Sequence, residues 1–233
     1  MKSQLKNIIN LLKKMPVREI VKIWNEEQLL NESIDFLHQK TKKVEFPISD
    51  EVKSIIQDLT DSYKEIPCAG IAANQIGYNV SIFIGMHHCD DEDQGKEIEK
   101  KESEYEKSSL SGNDIADNCE IYINPKIDIF DESSKQCDIE GCLSVPSLGL
   151  FINRYDKIKV RYYTPEGNVI KKPLRGFMSK LFQHELDHLN GILMVDDFSR
   201  IAEMDRSGFE TKEDLKRIVS FLQDFQNRYI NKK

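Results

Sequence analysis

The chain has 233 residues, 39% of them hydrophobic and 31% charged, with a formal net charge of −7. That length suffices to bury one generous domain core, and no apolar run is long enough to span a bilayer. The acidic balance argues against nucleic acid as a partner, and five cysteines without repeating spacing do not resemble a disulfide framework, which favours a reducing, cytoplasmic compartment.

Residues 1–16 read as an N-terminal extension. Within it MKSQLKNIINLLKKM is basic and amphipathic, so it predicts an extra surface helix; an organellar transit segment is the alternative. Residues 17–233 read as a single domain carrying an acidic insertion at about 87–119. Residues 17–30 show no clear period and leave their structure open. Ser49 or Asp50 can cap a helix over residues 49–63, with Val52, Ile55, Ile56 and Leu59 on its apolar face. Pro67 to Gly70 breaks it, and residues 80–86 have the β-branched and aromatic content of a strand.

The insertion packs nine acidic residues and four lysines into positions 90–107. Such a composition buries too little apolar surface to offset its ordering, so a solvated, flexible excursion from a hairpin is expected. His87-His88-Cys89 at its mouth reads as a loop end rather than a metal site. Strand character resumes over residues 120–127. Residues 156–163 alternate apolar and polar, and Thr164 to Gly167 is a turn signal before Val169, predicting a hairpin. A helix is expected over 179–190 with Gly191 just past its end. A closing helix is expected over 213–229 with Leu215, Ile218, Leu222 and Phe225 on one stripe. Strands and helices without βαβ alternation indicate an α+β fold, with antiparallel sheets around the helix that carries the histidines.

That helix holds the most informative stretch, Gln183-His184-Glu185-Leu186-Asp187-His188. Histidines four residues apart share one helix face and can reach a single ion, and Glu185 beside the first is placed to act as general base toward a water. A catalytic metal normally takes a third protein ligand. The metzincin pattern would need histidine where Met194 stands. A thermolysin-type glutamate could come from Glu203 or Glu210 at imperfect spacing, which leaves an endopeptidase as one reading. Another candidate lies upstream, in Glu140-Gly141-Cys142-Leu143-Ser144.

At these residues the chain resembles the peptide deformylases. Gly70-Ile71-Ala72-Ala73-Asn74-Gln75 is similar to that family's glycine-alanine-glutamine motif. Glu140 to Ser144 matches its EGCLS motif, and Gln183 to His188 its QHExDH motif, in the family's order. The resemblance covers roughly residues 17–200 apart from the insertion. It implies that Cys142, His184 and His188 hold one divalent metal ion per chain. Ferrous iron is expected natively, with zinc, nickel or cobalt able to take its place. It also implies that Glu185 is general base and acid, and that the Gln75 side chain and the Leu143 backbone N–H hold the oxyanion. Gly70, Ile71 and Gly141 would line the substrate, and Glu140 and Arg154 would orient the ligand loop. The implied substrates are N-formylmethionyl peptides of nascent chains, met through transient association with the ribosome; no membrane and no sequence-specific nucleic-acid binding are implied. A non-catalytic relative that binds peptide N-termini is a third reading, which intact Glu185, Gln75 and Cys142 disfavour.

The chain departs from the family at three places. Cys68 stands where many members have the first glycine of the first motif, which adds a side chain near the metal. Gly149 stands where arginine is common, and Asn25 to Leu29 replaces an Asp-Pro-Arg-Leu turn.

Overall fold

The computed structural model describes residues 17–87, 113, 118–206, 209 and 211–230. The expected extra helix or transit segment at the amino end lies outside these residues. So do His88, Cys89 and the insertion apart from Asn113 and its ends.

Two short segments prepare the fold. Helix α1 (Asn31–Leu37) buries Ile34 and Leu37. Helix α2 (Asp50–Glu65) is capped by the Ser49 side chain, which accepts the Val52 N–H, and Asp50 and Glu51 complement the positive end of its dipole. It buries Ile55, Leu59 and Tyr63. Strand β1 (Gly70–Ala72) runs directly into a 3₁₀ turn (Ala73–Ile76) that ends at Gly77 with φ +90.

Strands β2 (Ile82–Met86), β3 (Cys119–Phe130), β6 (Lys157–Tyr163) and β7 (Val169–Arg175) join β1 in an antiparallel sheet of order β1-β2-β3-β6-β7. Strands β4 (Lys135–Cys142), β5 (Val145–Tyr155) and β8 (Ile201–Asp205) form a second, three-stranded sheet. The α+β expectation holds. The expected strand at 80–86 begins at Ile82, because Val80 makes only an isolated bridge to Lys42. Asn124 explains a bend in β3: at φ 49 its side-chain amide donates to the Val44 carbonyl and accepts the Val44 N–H, standing in for strand pairing.

Helix α3 (Gly176–Leu189) lies between the sheets. It starts three residues earlier than the sequence suggested. Gly176, at φ +53, turns the chain out of β7, and Asp156 holds its N–H. Phe182 anchors the helix edge-on against the stacked Phe83 and Tyr122 rings, whose centroids are 4.3 Å apart. Asn190 closes the helix and Gly191, at φ +73, follows it as expected. Helix α4 (Lys212–Phe225), capped by Thr211, packs Ile218, Leu222 and Phe225 against Trp24, Ile34 and Leu37, and its last residues pass into a π turn (Gln226–Ile230).

Candidate active site

Cys142 sits at the tip of the β4–β5 hairpin, where only Leu143 and Ser144 separate it from its partner Val145. Three residues of β5 then bulge out before Gly141 and Gly149 pair, with Ser147 at φ 62. That distortion aims the thiol at α3. The Cys142 Sγ lies 3.2 Å from His188 Nε2. One donor atom from each of Cys142, His184 and His188 lies within 4.8 Å of the others.

The donors fit a tetrahedral divalent ion, whose ligands at ~2.0–2.3 Å would stand about 3.5 Å apart. Their protonation suits it too. Burial raises the Cys142 thiol, but the imidazoles of His188 and His184 outweigh it and bring it down to about 5. His184 uses Nδ1 to bond Glu140 Oε2 at 2.8 Å, which leaves Nε2 as its donor toward an ion.

Glu140 is itself held from two sides. Arg154 bonds it in bidentate fashion, Nε to Oε1 at 2.7 Å and Nη2 to Oε2 at 2.9 Å. Burial would raise the Glu140 carboxyl, but Arg154 and His184 keep it well below the usual carboxylate range. The chain Arg154–Glu140–His184 thus fixes the ring of one candidate ligand. Asp187, in the same motif, bridges Arg154 and Arg200 at 2.5 and 2.9 Å, a link the sequence reading did not foresee.

Glu185 is 2% exposed, and its Oε2 has no hydrogen-bond partner among the described residues. Burial pushes its carboxyl up to about 7, against the pull of His184 and His188. A carboxyl poised near neutrality suits proton transfer in both directions. The Gln75 amide nitrogen lies 3.6 Å from Cys142 Sγ, and its Oε1 accepts the Ala72 N–H, so its donor end points at the thiol. Two further motif residues turn out to be struts. Asn74 donates to the His188 carbonyl at 2.7 Å, and Gln183 spans the N–H and carbonyl of Tyr155.

These groups open into one cleft of ≈ 840 Å³, lined among others by Gly70, Gln75, Gly141, Leu143, His184 and Glu185. A Cβ on Gly141 would meet nothing within 4 Å, so its backbone faces open cleft. Ile71 is fully buried and does not line the cleft with Gly70. Cys68 does line it, and burial followed by the nearby Glu185 keeps its thiol protonated. Glu203 lies exposed on β8 and takes no part in the donor group; Glu210 is outside the described residues. Residues 17–30, unreadable by period, tie the site together: Val21 N–H bonds the Gln75 carbonyl and Ile23 N–H the Ser144 carbonyl.

The model of the polypeptide deformylase family matches residues 26–204. The chain belongs to the peptide deformylase family. It is therefore an enzyme, a hydrolase of the class that takes the N-formyl group from nascent peptides with the help of a metal. Peptide deformylase of Aquifex aeolicus is 34% identical over 162 residues, 70% of this chain and 81% of the relative. That of Elusimicrobium minutum is 33% identical over 78% of this chain and 88% of the relative. Among solved structures, the deformylase of Plasmodium falciparum aligns over 91% of this chain and 99% of its own, with 25% identity and a TM-score of 0.58. The Met-Ala-Ser-bound deformylase of Acinetobacter baumannii shares the fold, with 24% identity, a TM-score of 0.58, and coverage of 78% of this chain and 100% of its own. No helix among the described residues is long and apolar enough to cross a membrane.

Proposed function

We propose that the chain deformylates N-formylmethionyl peptides at the Cys142–His184–His188 centre, with Glu185 as the proton carrier. The convergence of a thiol and two imidazoles within 4.8 Å, beside a buried carboxyl in a cleft, carries this reading. Cys142, His184 and His188 would hold a divalent ion, ferrous iron in our reading, which would supply Lewis acidity toward the formyl carbonyl and lower the pKa of a water in the cleft. Glu185 takes the proton from the attacking water. The Gln75 amide and the Leu143 N–H donate to the oxygen as it gains charge. Glu185 then returns the proton to the departing amine, so that formate and a free N-terminal methionine leave. Gly141, with open space where a Cβ would stand, gives the peptide backbone close access, Gly70 lines the cleft while leaving room for the Glu185 carboxylate, and Arg154 acts only through Glu140. Met-Ala-Ser, bound in the Acinetobacter structure, is what formyl-Met-Ala-Ser becomes on losing its formyl group, which makes that peptide the natural probe. We place the activity in the cytoplasm, on chains leaving the ribosome, in one domain spanning residues 17–233.

Glu185→Gln tests the assignment. The variant should keep its metal and lose nearly all formate release; retained turnover would remove Glu185 from the mechanism.

A further inference from the structure

One wall of the cleft carries an ion pair. Phe177, Lys180, Leu181, His184 and Glu185 all line it from one face of α3, so Lys180 sits one helical turn, ~6 Å, before His184. Its side chain is 8% exposed, and its ammonium pairs with Asp138, which also lines the cleft. The same nitrogen donates to the Ile139 carbonyl at 3.3 Å and lies 4.9 Å from the Phe177 ring centroid. An ammonium has three N–H donors, and these partners, all there are among the described residues, take two.

On the deformylase reading above, a peptide with its formyl carbon at Glu185 and His184 has its first side chain within reach of this wall. A side chain of methionine's length spans one helical turn. An apolar tip covering Lys180 would strip water from the remaining donor and return nothing, whereas an acceptor at the tip would satisfy it. We propose that Lys180 is a specificity-determining residue that makes the cleft accept a first side chain ending in a hydrogen-bond acceptor, with methionine sulfoxide as the acceptor-bearing form of methionine. Asp138 tempers the preference: its Oδ2 holds the ammonium, while Oδ1 accepts the Ile139 N–H.

The test compares formate release from formyl-Met(sulfoxide)-Ala-Ser and formyl-Met-Ala-Ser by the metal-loaded enzyme, read as a ratio of kcat/KM so that metal occupancy cancels. The native ratio should lie within about tenfold of one. Lys180→Met should lower it roughly tenfold, the size of one hydrogen bond to a charged group, and Lys180→Arg should largely preserve it. Asp138→Asn, at a half-exposed position, releases the ammonium and should raise the ratio; it decides the matter if Lys180→Met fails to fold. A ratio that neither Lys180→Met nor Asp138→Asn moves overturns the inference and leaves the deformylase reading intact. Formate from neither peptide would sink both.

Discussion

The Gly70 backbone lies so close to the Glu185 carboxylate that a Cβ there would stand 2.7 Å from Oε1 and 2.9 Å from Leu181 Cδ1. Glycine is therefore required for packing between β1 and the proton-carrying side chain. Gly70→Ala should push the carboxylate out of line and lower formate release by roughly 10–100-fold. Metal content and the unfolding midpoint should change little. An unaffected rate, measured beside metal content, would show that Glu185 has slack its packing does not suggest.

Arg154 makes two bonds to Glu140 and one to Asp187 from a buried position. A buried pair of this kind is weak grounds for stability, since desolvation offsets much of its attraction. Its geometric role is better defined. Lysine cannot reproduce the fork, so Arg154→Lys should weaken metal affinity by roughly 10–100-fold through a loosened His184. Competition with a chelator measures this, and unchanged affinity would contradict the orienting role.

Glu120 stands at the start of β3, where Tyr162 bonds one oxygen and Lys172 the other at 2.6 Å. Burial would raise its carboxyl, yet these partners hold it below the usual range. A depressed folded-state pKa gives stability that is present above the ordinary glutamate value and lost as pH falls through the folded one. Glu120→Gln should therefore cost about 1–2 kcal/mol at pH 7. The difference should shrink below about pH 4. Urea unfolding at several pH values checks the sign, and a gap that widened in acid would refute it.

Gly191 combines φ +73 with a would-be Cβ only 2.3 Å from the His38 carbonyl oxygen. Gly191→Ala should cost about 3 kcal/mol in urea unfolding, from left-handed strain plus displacement of the residues after α1. A loss under ~0.5 kcal/mol, typical of surface substitutions, would mean that this contact yields freely.

Much of this was legible in the sequence because it is local. The cap at Ser49, the β6–β7 hairpin around Thr164–Gly167, the histidine pair and Gly191 all rest on neighbours a few residues apart. The third donor could not be reached from the histidine helix by spacing alone, since Cys142 and His188 are brought together by a hairpin tip and a helix 46 residues apart in the chain. Only the likeness of Glu140 to Ser144 to a known motif pointed there. Residues 17–30 hold the site by backbone bonds, which leave no side-chain period to read. Strand β8 has five residues and an exposed middle, too little pattern to announce itself. Nothing in the sequence singles out Lys180, whose burial and pairing with Asp138 join a helix to a strand 42 residues away in the chain. Ile71 was expected to line the substrate, but the fold places it in the core.

Formate release from formyl-Met-Ala-Ser by anaerobically purified protein, with metal content and the Cys142→Ser variant measured alongside, tests the central claim most directly. Turnover with about one ion per chain, and loss of both in the variant, is the predicted result. Metal retained in full by Cys142→Ser, or native protein that is loaded yet releases no formate, would contradict it.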